Sequence, residues 1–223
     1  MRNTIHRVIP ACARAFSLLE LVVVMALIAL LVAIATPAMA ALVGSTGLTA
    51  AGNLVTHLAA QARQMAMTKN TVTALAVLGD LGVEDDFRTL AIMEYDASNG
   101  WTQATPWQAL PSGVLVDFAD RRTCTFVSQA GVPLPLAPED AASGSLPFDY
   151  QGVALSSATC ALRVFLPNGG LHDSESPARI RLVEGVKQGA VMKYRNTTSD
   201  GSPGNFYDVS LIGATGLAKI NRP

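Results

Sequence analysis

The chain has few residues of the kinds that build active sites. It contains three histidines and three cysteines in 223 residues, and only 15% of its residues are charged. His57 lies in an amphipathic stretch, which indicates a surface or interface residue. His172 is followed by Asp173 and Ser174, but adjacent residues do not form a catalytic triad, whose members meet through the fold. The sequence predicts no enzyme and no cofactor.

Metal-binding patterns are also missing. The segment 96–100 (DASNG) has the start of a calcium loop, but Trp107 stands where such a loop needs its bidentate Glu. We therefore expect a hairpin turn there. The acidic run Glu84–Asp86 is interpreted as a solvated loop in preference to a metal site. No metal site is predicted.

Charged residues are absent from Leu21 to Ala62. Up to Val43 the residues are apolar on all sides, as contact with lipid or a packed filament core requires. Gly44–Gly47 indicate a bend or local melt. Beyond them apolar residues recur at spacings of three and four, which predicts an amphipathic helix packed on a sheet and ending near Lys69-Asn70. Its apolar residues are Ala51, Val55, Leu58, Ala62 and Met65.

Short β-rich segments separated by turn residues follow this helix. Strands are predicted at 71–78, 89–95, 113–118, 124–128, 161–166, 179–183, 190–194 and 207–212. A surface loop is predicted at 131–145. The fold class is α+β, with a long N-terminal helix packed on an antiparallel β domain. The first half of that helix would be embedded in a membrane and its second half amphipathic.

One acid, Glu20, lies at the start of the apolar run. A carboxylate at the edge of hydrocarbon costs several kcal/mol unless it is paired or neutralised. Glu20 is therefore a candidate functional residue, and the partner suggested is another chain's amine. The alternative is an isolated acid in the headgroup layer.

The N-terminus resembles those of type IV prepilins and of the pseudopilins of type II secretion. In these families a short basic leader is cut just before a Phe, and a Glu is the fifth residue past the cut. Phe16 and Glu20 have this spacing, and the leader would be residues 1–15. Ala15 stands where these families usually have Gly. Pro37 falls where such helices often carry a proline.

The resemblance implies cleavage by prepilin peptidase between Ala15 and Phe16, followed by N-methylation of Phe16. Glu20 would receive the N-terminal amine of a neighbouring pilin or pseudopilin, and Pro37 would let the helix kink during assembly or would be a tolerated kink without a role. An inner-membrane assembly platform is the other expected partner. The chain would cross the inner membrane once, with its C-terminal domain in the periplasm. The implied divisions are a leader (1–15), a transmembrane or filament-core helix (16–43), an amphipathic helix (44–70) and a β-rich pilin-like domain (71–223).

Three further segments resemble the GspH/FimT subtype of minor pilins and pseudopilins. They are 62–66 with Lys69-Asn70, 165–169 (FLPNG), and 209–212 with Thr215-Gly216. The subtype implies a structural subunit that initiates, tips or sparsely populates a filament.

Two cysteines remain once Cys12 leaves with the leader. Cys124 and Cys160 would then lie outside the cytoplasm, where disulfides persist, and a bridge between them is predicted. Closing that loop would stabilise the domain by roughly 3 to 4 kcal/mol in the chain-entropy model. The alternative is two buried free thiols.

Other functions stay open at this point. Leu21–Ala35 followed by 38–40 (AMA) also fits a secretory signal peptide, and an uncleaved anchor would suit an exported binding module. The region from residue 161 onward is mildly basic, which permits an anionic partner. A DNA-binding minor pilin is the further alternative, with Lys219 and Arg222 as the nucleic-acid contacts.

Overall fold

The computed structural model describes residues 17–79, 81–96, 98, 100–117, 145–156, 160–172, 178–189 and 191–221, without the side chains of 35–45, 145–148 and 156. Contacts divide the chain into two compact units, Met1–Val43 and Gly44–Pro223. The described residues form one helix and twelve strands. These are α1 (Leu18–Lys69), β1 (Thr73–Leu78), β2 (Thr89–Asp96), β3 (Gly100–Gln103), β4 (Gln108–Ala109), β5 (Val114–Val116), β6 (Ser145–Tyr150), β7 (Val153–Ser156), β8 (Cys160–Phe165), β9 (Ala178–Gln188), β10 (Val191–Tyr194), β11 (Phe206–Leu211) and β12 (Ala218–Asn221).

Helix α1 ends where the sequence predicts. Asn70 takes a left-handed conformation with φ of 51°, and the amide of Thr71 donates to the carbonyl of Ala66 at 3.1 Å. Asparagine tolerates this conformation, and Lys69 places a cation at the negative end of the helix dipole. The predicted C-terminus is therefore confirmed.

The helix continues through residues 44–47, so the predicted local melt is wrong. A helical glycine costs only about 1 kcal/mol relative to alanine. Here a Cβ on Gly47 would lie 3.5 Å from Val114, and the next residue, Leu48, is fully buried. Packing against the domain outweighs the weak local propensity.

The first sheet has the order β3-β2-β1-β8, with β4 paired to the other end of β2, and every pairing is antiparallel. The pairing of Asp96 with Gly100 closes β2 and β3 as a hairpin, which confirms the turn predicted at 96–100. Alternate residues of the central strands point to opposite faces. One face packs on α1, and the other forms a separate cluster of buried residues.

The second sheet has the order β10-β9-β11-β12, and β5 also pairs with β9 in an antiparallel ladder. Strand β9 is longer than predicted because three neighbouring strands, β5, β10 and β11, pair with it along its eleven residues. The predicted strand ended at Val183, whereas the observed strand continues to Gln188. Long-range pairing decides the length of β9.

The main core lies between α1 and both sheets. The predicted apolar stripe faces it: Ala51, Val55, Leu58 and Ala62 are fully buried, and Met65 packs at its edge. A Cβ on Gly52 would lie 3.1 Å from the Tyr207 ring, so this position keeps the helix close to the second sheet. The α+β fold class, with the amphipathic half of the helix on antiparallel sheets, is confirmed.

The opposite face of the first sheet is covered by the hairpin of β6 and β7. Tyr150 and Leu155 from this hairpin join Trp101, Cys160 and Leu162 in the second buried cluster. The sequence does not predict either hairpin strand, nor the short strands β3, β4 and β12. The predicted strand 124–128 and nearly all of the predicted loop 131–145 lie outside the described residues.

Candidate assembly interface

The first turn of α1 is capped by Ser17. Its hydroxyl accepts the amide hydrogen of Glu20 at 3.1 Å, and its carbonyl accepts that of Leu21 at 3.2 Å. A serine in this position satisfies an amide that has no partner within the helix. Glu20 is exposed and lies in the first turn, where the positive end of the helix dipole favours a carboxylate.

The helix that follows Glu20 presents apolar side chains on all sides. Every residue from Leu18 to Ile34 is exposed, and the exposed fractions of the large side chains run from 46% at Val24 to 82% at Leu18. An apolar surface of this extent marks a contact with protein or lipid. Within the described part of the chain, no helix is both long and apolar enough to cross a membrane.

The other N-terminal site residues are placed only in part. Pro37 lies within α1, but its side chain is not among those described. Ala15 and Phe16 lie outside the described residues. Cleavage and methylation at these two positions stay predictions.

At the far end of the helix, Arg63 joins three segments that are distant in sequence. Its Nε donates to the carbonyl oxygen of Gly169 at 3.2 Å and also to that of Thr215. Gly216, with φ of 63°, lies so close to Gly169 that a Cβ there would collide with its carbonyl oxygen. The segments 62–66, 165–169 and 209–216 therefore meet in one junction.

Residues 11–36 match the prokaryotic N-terminal methylation motif. The chain therefore carries this motif where the resemblance to prepilins predicts it. The match covers the predicted cleavage site, Phe16 and Glu20, and it confirms the resemblance to prepilins and pseudopilins. No curated protein matches the sequence significantly.

Solved structures similar to this chain include two of the minor pseudopilin EpsH from the type 2 secretion system of Vibrio cholerae. One has 12% identity and a TM-score of 0.42, covering 79% of this chain and 97% of EpsH. The other has 11% identity and a TM-score of 0.41, covering 80% and 95%. The type IV minor pilin FimU of Pseudomonas aeruginosa has 13% identity and a TM-score of 0.39, covering 80% and 90%.

The acidic run Glu84–Asp86 is not simply a solvated loop, and that prediction is wrong for two of its three residues. Asp86 is fully buried, accepts the amides of Leu81 and Gly82 at 3.0 and 2.8 Å, and pairs with Lys187 at 2.6 Å. Asp85 accepts a hydrogen bond from the hydroxyl of Tyr150. Only Glu84 is exposed. Lys187 and Tyr150 are distant in sequence, so no local signal could reveal these two partners.

Cys160 is buried in the second cluster and is the single cysteine among the described residues, where it is a free thiol. Burial raises its pKa from 9.0 to about 12, because the thiolate would lose its hydration. Its predicted partner, Cys124, lies outside the described residues. The disulfide stays a prediction.

The basic residues near the C-terminus separate into two places. Lys219 is exposed, and the ladder pairs Ser210 with both Lys219 and Arg179 in one row across three strands. Directly paired residues share a face, so Lys219 and Arg179 lie on the face opposite α1. Lys193 belongs to the hairpin of β9 and β10 instead. Arg222 lies outside the described residues.

Proposed function

We propose that this protein is a minor pilin or pseudopilin, a structural subunit of a type IV pilus or a type II secretion pseudopilus. It is cut after Ala15 and assembles through its N-terminal helix. The observation that carries the proposal is the methylation motif at 11–36, which includes the start of a helix whose side chains from Leu21 to Ile34 are apolar and exposed. An exposed surface of this kind needs lipid before assembly and neighbouring helices after it.

Glu20 sets the register between neighbouring subunits of the filament. Cutting before Phe16 creates an α-amino group four residues ahead of this carboxylate, and methylation would leave that amine positively charged. Each charge alone is costly to move out of water. When a subunit leaves the bilayer, its amine can meet Glu20 of a neighbour, and the pair enters the apolar core together. Pro37 lacks an amide hydrogen, so the helix can kink there as it packs.

The proposed location is the inner membrane, crossed once, with the C-terminal domain in the periplasm. The absence of charged residues from Leu21 to Ala62 supports such an anchor. Prepilin peptidase, other pilins or pseudopilins and an inner-membrane assembly platform are the proposed partners. The role is structural, without enzymatic activity.

The GspH/FimT subtype is supported by the junction at Arg63. The three segments that resemble this subtype meet there through the hydrogen bonds of one guanidinium. These contacts bring the three segments together in the fold, although they lie far apart in the sequence. We assign the protein to the GspH/FimT subtype of minor pilins and pseudopilins.

The first test is the N-terminus of the mature protein. Mass spectrometry should find Phe16 as the first residue, with a methyl group on its amine. Ala15→Gly should speed processing, since Gly is the residue usual before the cut. An N-terminus at Ala41 would establish a secretory signal peptide instead, and an intact Met1 would indicate an uncleaved anchor.

The second test replaces Glu20 by Leu. The free energy of inserting the anchor helix into lipid should become more favourable by roughly 2 to 3 kcal/mol. The level of the variant in the inner membrane should therefore be kept or raised. Co-purification with filament partners should fall, because a neighbour's amine then stays unpaired in an apolar core, at a cost of roughly 3 to 5 kcal/mol. Met25→Leu, on the same exposed helix, is the matched control. Equal partner recovery for both variants would rule out the proposed role of Glu20.

A second candidate function is contact with DNA. The observation in its favour is the row of Lys219, Ser210 and Arg179 on an exposed sheet face, with Arg222 close in sequence to Lys219. Binding through phosphates would weaken steeply with salt, and changing Lys219 and Arg222 to Ala should reduce it further. Lys193→Ala serves as the control. No binding at low salt would remove this function.

A further inference from the structure

A cleft of about 460 Å³ opens between three turns of the β domain. Its walls are the turn before β2, the turn before β5 and the end of the hairpin formed by β9 and β10. Four of the lining residues are glycines, so the backbone itself forms much of the wall. They are Gly82, Gly113, Gly185 and Gly189.

Arg88 stands in this wall, and the described residues give its guanidinium few acceptors. Among the described residues, its buried Nε has no hydrogen-bond partner. Its Nη2 lies 3.5 Å from the carbonyl oxygen of Leu110, at the outer limit of a hydrogen bond. A guanidinium carries five N–H donors, and leaving a buried one such as this Nε–H unmet is unfavourable. An acceptor bound in the cleft would give the guanidinium of Arg88 a further partner.

The other charges of the cleft do not supply that acceptor. Asp86 already receives two amide hydrogens and the ammonium of Lys187. Lys187 also lies 5.1 Å from the centre of the Phe87 ring, so its charge is matched within the fold. Glu84 lines the cleft but is exposed, and no hydrogen bond joins it to Arg88 in the described structure.

The rim of the cleft is apolar. Val83 and Val186 line it, with exposed fractions of 41% and 51%. A ligand that brings an anionic group to Arg88 would therefore cover two aliphatic side chains on entering. The absence of side chains on the glycines leaves room for a polypeptide backbone to approach.

We propose that this cleft binds a carboxylate side chain flanked by apolar residues, presented by a neighbouring filament subunit. The identity of that subunit rests on the proposed function; the carboxylate site itself does not. A planar carboxylate matches the fork of Arg88 in two parallel hydrogen bonds.

The direct test uses the full mature protein in detergent, with its arginines labelled with ¹⁵N. The probes are the capped peptide acetyl-Leu-Glu-Leu-amide and its Gln analogue, which has the same shape without the charge. The Nε–H resonance of Arg88 should shift and saturate with the Glu peptide, at a dissociation constant of about 1 mM or below. The Gln peptide should leave it in place. Equal shifts with both peptides, or none with either, would overturn the proposal.

Two variants sharpen this test. Arg88→Lys keeps the charge but loses the planar fork, so Glu-peptide binding, followed by the peptide's own resonances, should weaken by about fivefold or more. Glu84→Gln removes a like charge from the rim and should tighten binding by roughly two- to fivefold. Arg179→Gln changes an arginine of the second sheet that does not line the cleft, and it should bind as the parent does. An Arg88→Lys affinity equal to that of the parent counts against the site.

Two small probes identify the source of the carboxylate. If sodium acetate shifts the Arg88 resonance with the same affinity as the Glu peptide, the cleft binds a small free carboxylate and the proposed polypeptide partner is excluded. If inorganic phosphate binds more tightly than the Glu peptide, the site is an anion site of another class and the proposal fails.

Partner recovery from cells separates this proposal from the proposed function. Arg88→Lys should lower co-purification of filament partners while Phe16 remains the mature N-terminus. If Glu20→Leu lowers recovery and Arg88→Lys does not, the cleft is not an assembly contact, although the protein is a filament subunit. If the mature N-terminus is Ala41 or Met1, the proposed function fails whatever the peptide result, whereas unchanged recovery for Glu20→Leu removes only the proposed role of Glu20.

Discussion

The Nε of Arg63 lies 3.2 Å from the carbonyl oxygen of Gly169, across 106 positions of sequence. Gly169 follows β8 of the first sheet, and Thr215, the second acceptor of the same Nε, follows β11 of the second sheet. One side chain of the helix therefore fixes the ends of both sheets. The contact links the helix to the segment that follows one strand of each sheet.

Arg63→Ala should destabilise the β domain by about 1.5 to 3 kcal/mol, because two carbonyls lose a charged donor. Urea unfolding of the full mature protein in detergent measures this change in the free energy of unfolding. Gln64→Ala, at an exposed position on the same helical turn, is the control and should stay within about 0.5 kcal/mol of the parent. Equal losses for both variants would show that Arg63 does not hold the junction.

Gly216→Ala should be more damaging than an ordinary substitution of a left-handed glycine. Its new methyl group would collide with the carbonyl oxygen of Gly169, whereas Gly201, with φ of 82°, has open space around it. Gly201→Ala should cost about 1 kcal/mol from backbone strain alone. Gly216→Ala should cost at least about 2 kcal/mol more, measured by the same unfolding. If Gly216→Ala and Gly201→Ala lost the same stability, the turns at Gly169 and Gly216 could move apart without a cost in free energy.

Asp86→Asn should destabilise the domain by roughly 3 to 5 kcal/mol, since the ammonium of Lys187 loses its partner in a place that is 15% exposed. The pair of Lys69 and Glu94 offers the matched control, because the side chain of Lys69 is 52% exposed. Lys69→Ala should cost about 1 kcal/mol or less. Thermal unfolding of both variants beside the parent gives the comparison, and similar losses would contradict the burial argument.

The reduced protein should lose stability as the pH rises above about 9 through Cys160. Its folded pKa of about 12 exceeds the value of 9.0 expected in the unfolded chain, so the unfolded state releases the proton first. The contribution of the buried Cys160 thiol to the free energy of unfolding is complete below pH 9. It declines by roughly 1.4 kcal/mol per pH unit towards pH 12. Cys160→Ala should lack this part of the slope, and unfolding at pH 8 to 11 compares the two. Parallel pH profiles would show that the buried thiol does not titrate in this window.

In the untreated exported protein, non-reducing peptide mapping should join Cys124 to Cys160. The two linked peptides should separate when the disulfide is reduced. Free alkylation of both cysteines in the folded protein would remove the bridge and leave the stability of the domain to its core.

The sequence reveals the local features of this protein. The end of the helix at Lys69-Asn70 follows from a residue that tolerates a left-handed conformation, and the buried stripe from Ala51 to Ala62 follows from helical spacing. The spacing of Phe16 and Glu20 indicates the prepilin class, which the motif match confirms. Each of these patterns is formed by residues that lie close together in the sequence. It can therefore be recognised without knowledge of the fold.

Other features depend on which distant segments meet. The sequence does not reveal that Asp86 is buried against Lys187, because 101 positions separate them. The junction at Arg63 is hidden for the same reason, as is the incomplete hydrogen bonding of Arg88. Short strands such as β12 carry too few residues for a periodic signal and exist because a longer neighbour, β11, pairs with them. Local dihedral preference and apolar spacing determine the helix and most strands, whereas strand pairing, buried charge and the cleft are decided by long-range packing and desolvation.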